Sequence, residues 1–209
     1  IVQAARKIEA FCVDHEERHL FAGDLSGRIL VVAIDGFRVL GDVQAHAGTI
    51  SAMAASPALP VFACLGMDRT VSVWEYDRHG TVHPVTAASI RNVAPSNDEF
   101  DIGWVHSNAQ TLGFHDTEAR LVTRSGNAGT LVLDIDWVKE GLTVRRCDRF
   151  HGEWDVVTAR FVVGSDRILS GSGSGELVLA EDGERLRSWQ IGEESIHWIE
   201  HYIGDQYLL

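Results

Sequence analysis

Four segments of the chain repeat one design: GDLSGRILVVAID, LGMDRTVSVWEYD, SGNAGTLVLDID and GSGSGELVLAED. Each opens on small or polar residues, runs into an apolar alternation and closes on an acid. Aligned on Ser26, Asp68, Ala128 and Ser174, they place Ile29, Val71, Leu131 and Leu177 three residues on. Val31, Val73, Leu133 and Leu179 follow two residues later. A period of two, rich in β-branched residues, predicts strands. The runs before the turns (HLFAG, VFACLG, LVTRSG, RILSG) are apolar as well, so each unit reads as strand, glycine-bearing turn, strand. A second turn follows the acid in DGFRVL, DRHGTV and DGERLRSW. A further alternating segment lies upstream in KIEAFCV, TISAMAAS, QTLGFH and VVTARFVV.

Each repeat therefore predicts four short antiparallel strands. The anchors are spaced 42, 60 and 46 residues apart, and four-stranded units of about 40–45 residues read as the blades of a β-propeller. The predicted fold is all-β, with blades over about 1–43, 44–90, 104–149 and 150–191, a partial blade over 192–209 and an insertion over about 91–103. The last unit runs from ESIHWIEH to QYLL. Four and a half blades leave bare strand edges, so we expect a larger ring, taken as seven-bladed, completed by sequence outside this chain or by another chain. The start at Ile1 likewise suggests sequence upstream.

Within this register GSGSG (171–175) is a hairpin turn, with glycine present for turn geometry. It is not a phosphate loop, because no Lys-Ser or Lys-Thr follows. Nor is it a nucleophile elbow, which needs serine at its centre where this run has Gly173.

The second unit, AHAGTISAMAASPALPVFACLGMDRTVSVWE, resembles a repeat of the WD-repeat β-propeller family. Ala45-His46 stands where that family has Gly-His, Ser56-Pro57 at the turn after the first strand, Asp68 at the turn acid and Trp74-Glu75 at Trp-Asp. The resemblance implies a structural hydrogen-bonded chain from Asp68 to His46, on to position 64, and from there to Trp74. Position 64 is Cys64 instead of the family's Ser or Thr, which weakens that link. The fourth unit keeps His151 and Ser170 but has Ser174 for the acid and Ala180 for the Trp. The first unit has Ser26 and Val32 at the acid and Trp positions, and the third has Ala128 and Asp134.

Two short motifs mimic zinc sites: HEERH (His15 to His19) and the inverted HWIEH (His197 to His201). Both need a helix to bring i and i+4 onto one ion. On a strand those positions lie about 13 Å apart. The first falls at a polar turn, and the repeat register favours a strand for the second, so neither metal nor cofactor is expected.

The formal charge of −12, with no basic cluster, argues against a nucleic-acid partner. Cys12, Cys64 and Cys147 are odd in number and widely spaced, with no metal pair among them. They read as free thiols of a reducing compartment, and no apolar run approaches the roughly 18 residues of a membrane span. The expected location is the cytoplasm, with no membrane partner.

The surplus of the 60-residue interval falls at SIRNVAPSNDEFDIGW (89–104). In the family such a connection shares a rim with the second-to-third-strand turns, the face commonly offered to partners. Asp98, Glu99, Phe100, Asp101 and Trp104 would give an aromatic anchor in an acidic setting, suited to a basic partner protein. The resulting reading is a non-catalytic protein-interaction scaffold. The alternatives are an enzyme, ligand or metal binder using the central channel, with His106, His115 and Glu153 as inward candidates, and a regulatory propeller of a larger enzyme.

Overall fold

The computed structural model describes residues 7–89, 112–125, 129–139, 141–149, 151, 156–202 and 206–208. Four of its five sheets are four-stranded and antiparallel, each built from strands in chain order. The first holds β1 (Ile8–Val13), β2 (His19–Asp24), β3 (Arg28–Ala33) and β4 (Arg38–Gln44). The second holds β5 (Ile50–Ala55), β6 (Val61–Gly66), β7 (Thr70–Tyr76) and β8 (Val82–Ser89). The third holds β9 (Leu112–Phe114), β10 (Arg120–Ser125), β11 (Gly129–Asp136) and β12 (Gly141–Arg149). The fourth holds β13 (Val156–Phe161), β14 (Ile168–Ser172), β15 (Glu176–Glu181) and β16 (Glu184–Gln190). A two-stranded sheet of β17 (Glu200–Tyr202) and β18 (Gln206–Leu208) opens a fifth unit. The described helical content is one 3-10 turn, Asp35–Phe37, and no described helix is long and apolar enough to cross a membrane.

The sheets are radial. Their first strands are neighbours in order, β1 beside β5, β5 beside β9 and β9 beside β13. Alternate residues of each strand face opposite neighbouring blades, so both faces of a blade are core. Phe62, Cys64, Trp74 and Tyr76 pack back on Phe21, Ile29 and Val31 of the first blade. Val61, Ala63, Leu65, Val71 and Val73 pack forward on Leu112, Leu121, Leu131 and Leu133 of the third. The Phe21 and Phe62 rings stack with centroids 4.1 Å apart. The same pattern joins Val122 and Val132 to Val156, Phe161 and Ile168, and then Leu169 and Leu177 to Ile196 and Ile199. The middle strands β6 and β14 are buried throughout, whereas the outermost β16 is exposed along its whole length and carries Arg185 and Arg187 among its polar residues. Charge on an outer strand keeps its free edge from pairing with other chains.

Cross-strand pairs define the repeat register. Ala22 pairs Leu30, Cys64 pairs Ser72, Thr123 pairs Leu131 and Ser170 pairs Val178. The midpoints of these pairs are positions 26, 68, 127 and 174, so the third anchor falls at Asn127 instead of Ala128 and the intervals become 42, 59 and 47 residues. The one-residue slip in the sequence alignment has a physical origin. Leu131 and Leu133 match Val71 and Val73 in hydrophobicity, yet they lie on the opposite face of their blade.

Candidate functional site

Antiparallel order sorts the connections into two ends. Turns between first and second strands, and between third and fourth, lie at one end. Turns between second and third strands, and the links into the next blade, lie at the other.

At the latter end the second and fourth blades each carry a polar chain. In the second, His46 Nδ1–H donates to Asp68 at 3.1 Å from Oδ1, and Thr70 donates to the same oxygen at 2.6 Å. The carboxylate therefore selects the tautomer. His46 Nε2 accepts from the Ser72 hydroxyl at 2.8 Å, and Ser72 Oγ accepts the Trp74 indole N–H at 2.9 Å. The hydroxyl of this chain comes from Ser72, the cross-strand partner of Cys64. Gly66 makes room for the chain, since a Cβ there would lie 2.4 Å from His46 Nδ1. Burial pulls the His46 pKa below its ordinary value, beyond what Asp68 restores. Burial alone would raise Asp68, but hydrogen bonds from Thr70 and the Ala47 N–H, together with His46, hold its carboxyl below the usual range.

The fourth blade solves the same problem with other residues. His151 Nε2 accepts from Ser170 Oγ at 2.9 Å, and Nδ1–H donates to Glu176 Oε2 at 3.1 Å. The acid is Glu176, two residues beyond Ser174, and its other oxygen is held by Arg185. Burial again lowers the histidine pKa, against the pull of Glu176. Ser174 instead belongs to the turn, where its N–H and hydroxyl meet Ser172 Oγ. Ser72 and Glu176 were absent from the sequence reading. Ser72 was accessible to it, because i and i+2 on a strand share a face, and Ser72 is two residues from Trp74. Glu176 stands at the register position of Thr70, two residues past the anchors Ser174 and Asp68, and the sequence alignment already equates the two; an acid there is simply not one of the positions the WD-repeat resemblance assigns.

At the opposite end, five units converge on a cavity of about 630 Å3. Phe11, Met53, Phe114, Phe161 and Trp198 line it, one from each unit in turn, with Asp116 and Arg160 as the charged members. Apart from Trp198, which precedes β17, these residues lie in or just beyond the downstream halves of the first strands, the innermost of each blade. The cavity therefore lies along the innermost strands, at the centre of the radial array. Cys12 also lines it, but burial, with Asp14 beside it, raises the thiol pKa well above its ordinary value. At neutral pH that thiol is protonated and is no nucleophile.

His115 caps a turn of the third blade. Its Nδ1 accepts the backbone N–H groups of Thr117 and Glu118 at 3.3 and 3.2 Å, and its ring meets Phe161 edge-on. His106 and Glu153 lie outside the described residues, as do Asp98, Glu99, Phe100, Asp101 and Trp104. HEERH occupies a turn and the first residue of β2. His19 Nδ1 lies 3.0 Å from Asp14 Oδ2, while His15 lies 3.3 Å from the Tyr76 hydroxyl. HWIEH crosses an irregular segment into β17, with no helix. Among the described residues no group of three or more His, Cys, Asp or Glu could hold a metal ion.

Radial four-stranded blades define a β-propeller, and this chain has that fold; the histidine-to-acid links at one end of its second and fourth blades resemble those of WD-repeat β-propellers. Comparison with known proteins agrees. The chain is 33% identical over 66 residues to an uncharacterized WD repeat-containing protein of Schizosaccharomyces pombe, which covers 32% of this chain and 16% of that protein. It is 26% identical over 72 residues to a WD repeat-containing protein of Dictyostelium discoideum, covering 34% and 14%. Its fold matches the crystal structure of the Myceliophteria thermophila Cps50 (Swd1) β-propeller domain with a TM-score of 0.76 at 10% identity, over 95% of this chain and 59% of that one. The chain thus spans a small part of the curated relatives and somewhat over half of the solved domain. No family model matches it.

Proposed function

We propose that this propeller is a non-catalytic protein-interaction scaffold of the cytoplasm. One observation carries the reading. Both ring nitrogens of His46 and of His151 are spent on internal hydrogen bonds, so these two buried histidines brace the blades and are not free to act on a substrate. What faces outward is turns on a rigid frame, the usual place for binding. The connection over 92–103, with Asp98, Glu99, Phe100 and Asp101, is one proposed contact for a partner with a basic surface, and Trp104 borders it. The test is affinity capture of partners by the intact chain and by the same chain lacking 92–103. Specific partners that the deletion loses support both the scaffold and the loop. Partners that survive it support the scaffold alone, and no reproducible partner removes it. A second reading, a small apolar ligand in the channel, is favoured by the cavity volume. Native mass spectrometry of the purified chain checks it through retained mass.

A further inference from the structure

Each of the four full blades places an acid at or just after the end of its third strand: Asp35, Asp77, Asp136 and Asp182. The four differ in what holds them. Asp77 Oδ1 accepts the N–H groups of His79 and Thr81 at 2.8 and 2.9 Å, and Asp136 Oδ1 accepts those of Val138 and Lys139, both at 3.0 Å. Asp182 Oδ1 lies 3.2 Å from Arg146 Nη1. Among the described residues none holds the Asp35 carboxylate. The residue that follows matters as much. Arg78 and Trp137 follow Asp77 and Asp136, and their side chains crowd the peptide nitrogen. Gly36 and Gly183 follow Asp35 and Asp182 and leave that nitrogen open; these are the two Asp-Gly pairs of the sequence.

The two Asp-Gly turns differ in freedom. Asp182-Gly183 is a two-residue hairpin, because Glu181 pairs Glu184. Asp182 has φ 48 and Gly183 φ 84, the signs that the tight hairpin turn requires. With paired residues directly on both sides, Asp182 cannot swing its carboxyl onto the next nitrogen without breaking the register. Asp35-Gly36 lies in a four-residue loop, because Ala33 pairs Arg38. Within it the Phe37 N–H donates to the Ile34 carbonyl at 3.3 Å. Gly36 at φ 72 and Phe37 at φ 47 are both left-handed, a strained conformation for a bulky residue. Both are exposed, and open space surrounds the point where a Gly36 Cβ would stand. Loop tips of this kind open locally at little cost.

We infer that the Asp35-Gly36 turn is a modification site at which the folded chain forms isoaspartate, while the equivalent Asp182-Gly183 turn is protected by its hairpin. The Gly36 amide nitrogen attacks Cγ of the neutral Asp35 carboxyl, and the C–OH bond breaks. The hydroxyl leaves as water with the amide proton, closing a five-membered succinimide. Water then adds at the former main-chain carbonyl of Asp35 and the ring C–N bond there breaks. The chain now runs on through Cγ, and a free α-carboxylate remains. No atom is gained or lost overall, and solvent water is the co-reactant. The product has one more backbone carbon between Asp35 and Gly36. A four-residue loop strained into left-handed conformations accepts that carbon, whereas a two-residue hairpin does not. The new α-carboxylate makes the turn a substrate for methyl esterification, in which its oxygen displaces the methyl group from a sulfonium donor.

The test is ageing of the intact chain at physiological temperature and pH, followed by peptide mapping that separates isoaspartyl from aspartyl peptides of equal mass. Labelled methyl transfer from S-adenosylmethionine by a protein-isoaspartyl methyltransferase gives an independent readout of the same peptides. The peptide holding 35–36 is expected to accumulate isoaspartate about fivefold or more faster than the peptide holding 182–183. Ageing in urea removes the fold, and there the two rates should approach each other. Asp35→Glu, whose ring would have six members and close far more slowly, should abolish the signal at 35 and leave that at 182 unchanged. The substitution is at an exposed residue, and circular dichroism checks that the variant remains folded. Isoaspartate at 182–183 that keeps pace with 35–36 in the folded chain overturns the inference. So does a 35–36 peptide that isomerises in urea but not in the folded chain. Neither outcome bears on the scaffold reading, which partner capture decides.

Discussion

The Trp74 indole N–H is buried between two blades, and the acceptor it reaches is the hydroxyl of Ser72, which itself donates to His46. Ser72→Ala therefore strands two buried groups at once, and each buried group without a partner costs about 1–3 kcal/mol. The fourth blade indicates how to repair the damage. There the hydroxyl sits on the second strand as Ser170, and its cross-strand partner is Val178. In the second blade the positions are reversed, with Cys64 on the second strand and Ser72 on the third. Ser72→Val combined with Cys64→Ser copies the fourth-blade arrangement. Urea unfolding should show Ser72→Ala about 2 kcal/mol or more below the parent, with the double variant recovering at least about half of that loss. No recovery would mean that the two positions cannot exchange the hydroxyl. The exchange also explains what the sequence reading missed. A motif search asks for one residue at one position, while the blade needs a hydroxyl at one point in space that either of two facing strands can reach.

At the level of strands, most of the architecture was legible, because glycine turns and alternating apolar runs are local signals. Four strands per unit and the order of the units could be read from them. The register of the third blade could not. TLVLDI puts Leu131, Leu133 and Ile135 on the face toward the second blade and Thr130, Val132 and Asp134 on the other; because both faces of a blade touch neighbours, a period of two shows the alternation but not which neighbour the more apolar face meets. Burial differs between strands more than their sequences suggest, and this has a measurable consequence. The middle strands β6 and β14 are buried throughout, while β4 and β16 stand at the solvent edge. Native-state hydrogen exchange should find the amides of β6 and β14 among the last to exchange and those of β4 and β16 opening well below the global unfolding free energy. A tie across blades adds to this. Arg120, at the start of β10, meets Asp134 of its own blade at 3.0 Å, Asp166 of the fourth blade and Glu118. Asp134 and Asp166 remain partly solvated, so Arg120→Met should cost only about 1–2 kcal/mol, well short of what stranding a fully buried charge costs. Faster exchange in β13 and β14 of that variant, with β6 unchanged, would identify the tie as an interblade one.

The central cavity was illegible in the sequence because no stretch of chain contains it. Phe11, Met53, Phe114, Phe161 and Trp198 come from five units, tens of residues apart, and only the radial arrangement of the blades brings them together. The histidine chains also act at this scale, because two separate blades depend on the same protonation state. His46 and His151 are buried side chains whose pKa values lie below the ordinary 6.5, burial being the larger cause in each. Each ring accepts a serine hydroxyl at Nε2, which a second proton would forbid. Above about pH 6.5 the folded and unfolded chains both hold neutral imidazoles, and these groups add no pH dependence. As the pH falls through that value the unfolded chain takes up protons first, so the unfolded state is favoured. Stability is lost with a slope of up to about 1.4 kcal/mol per pH unit for each histidine until the folded-state pKa is reached. The lowered carboxyl of Asp68 and the raised one of Asp148 start from 3.8. They oppose each other in sign and lie nearer the acid end of the range. Because the two histidines sit in the second and fourth blades, their contributions should add. Chemical unfolding between about pH 7.5 and about pH 5.5 should therefore show a falling free energy. His46→Gln should remove about half of the slope and the double variant with His151→Gln most of it. A slope unchanged in the double variant would assign the acid sensitivity to other groups and show that the two blades do not require neutral rings.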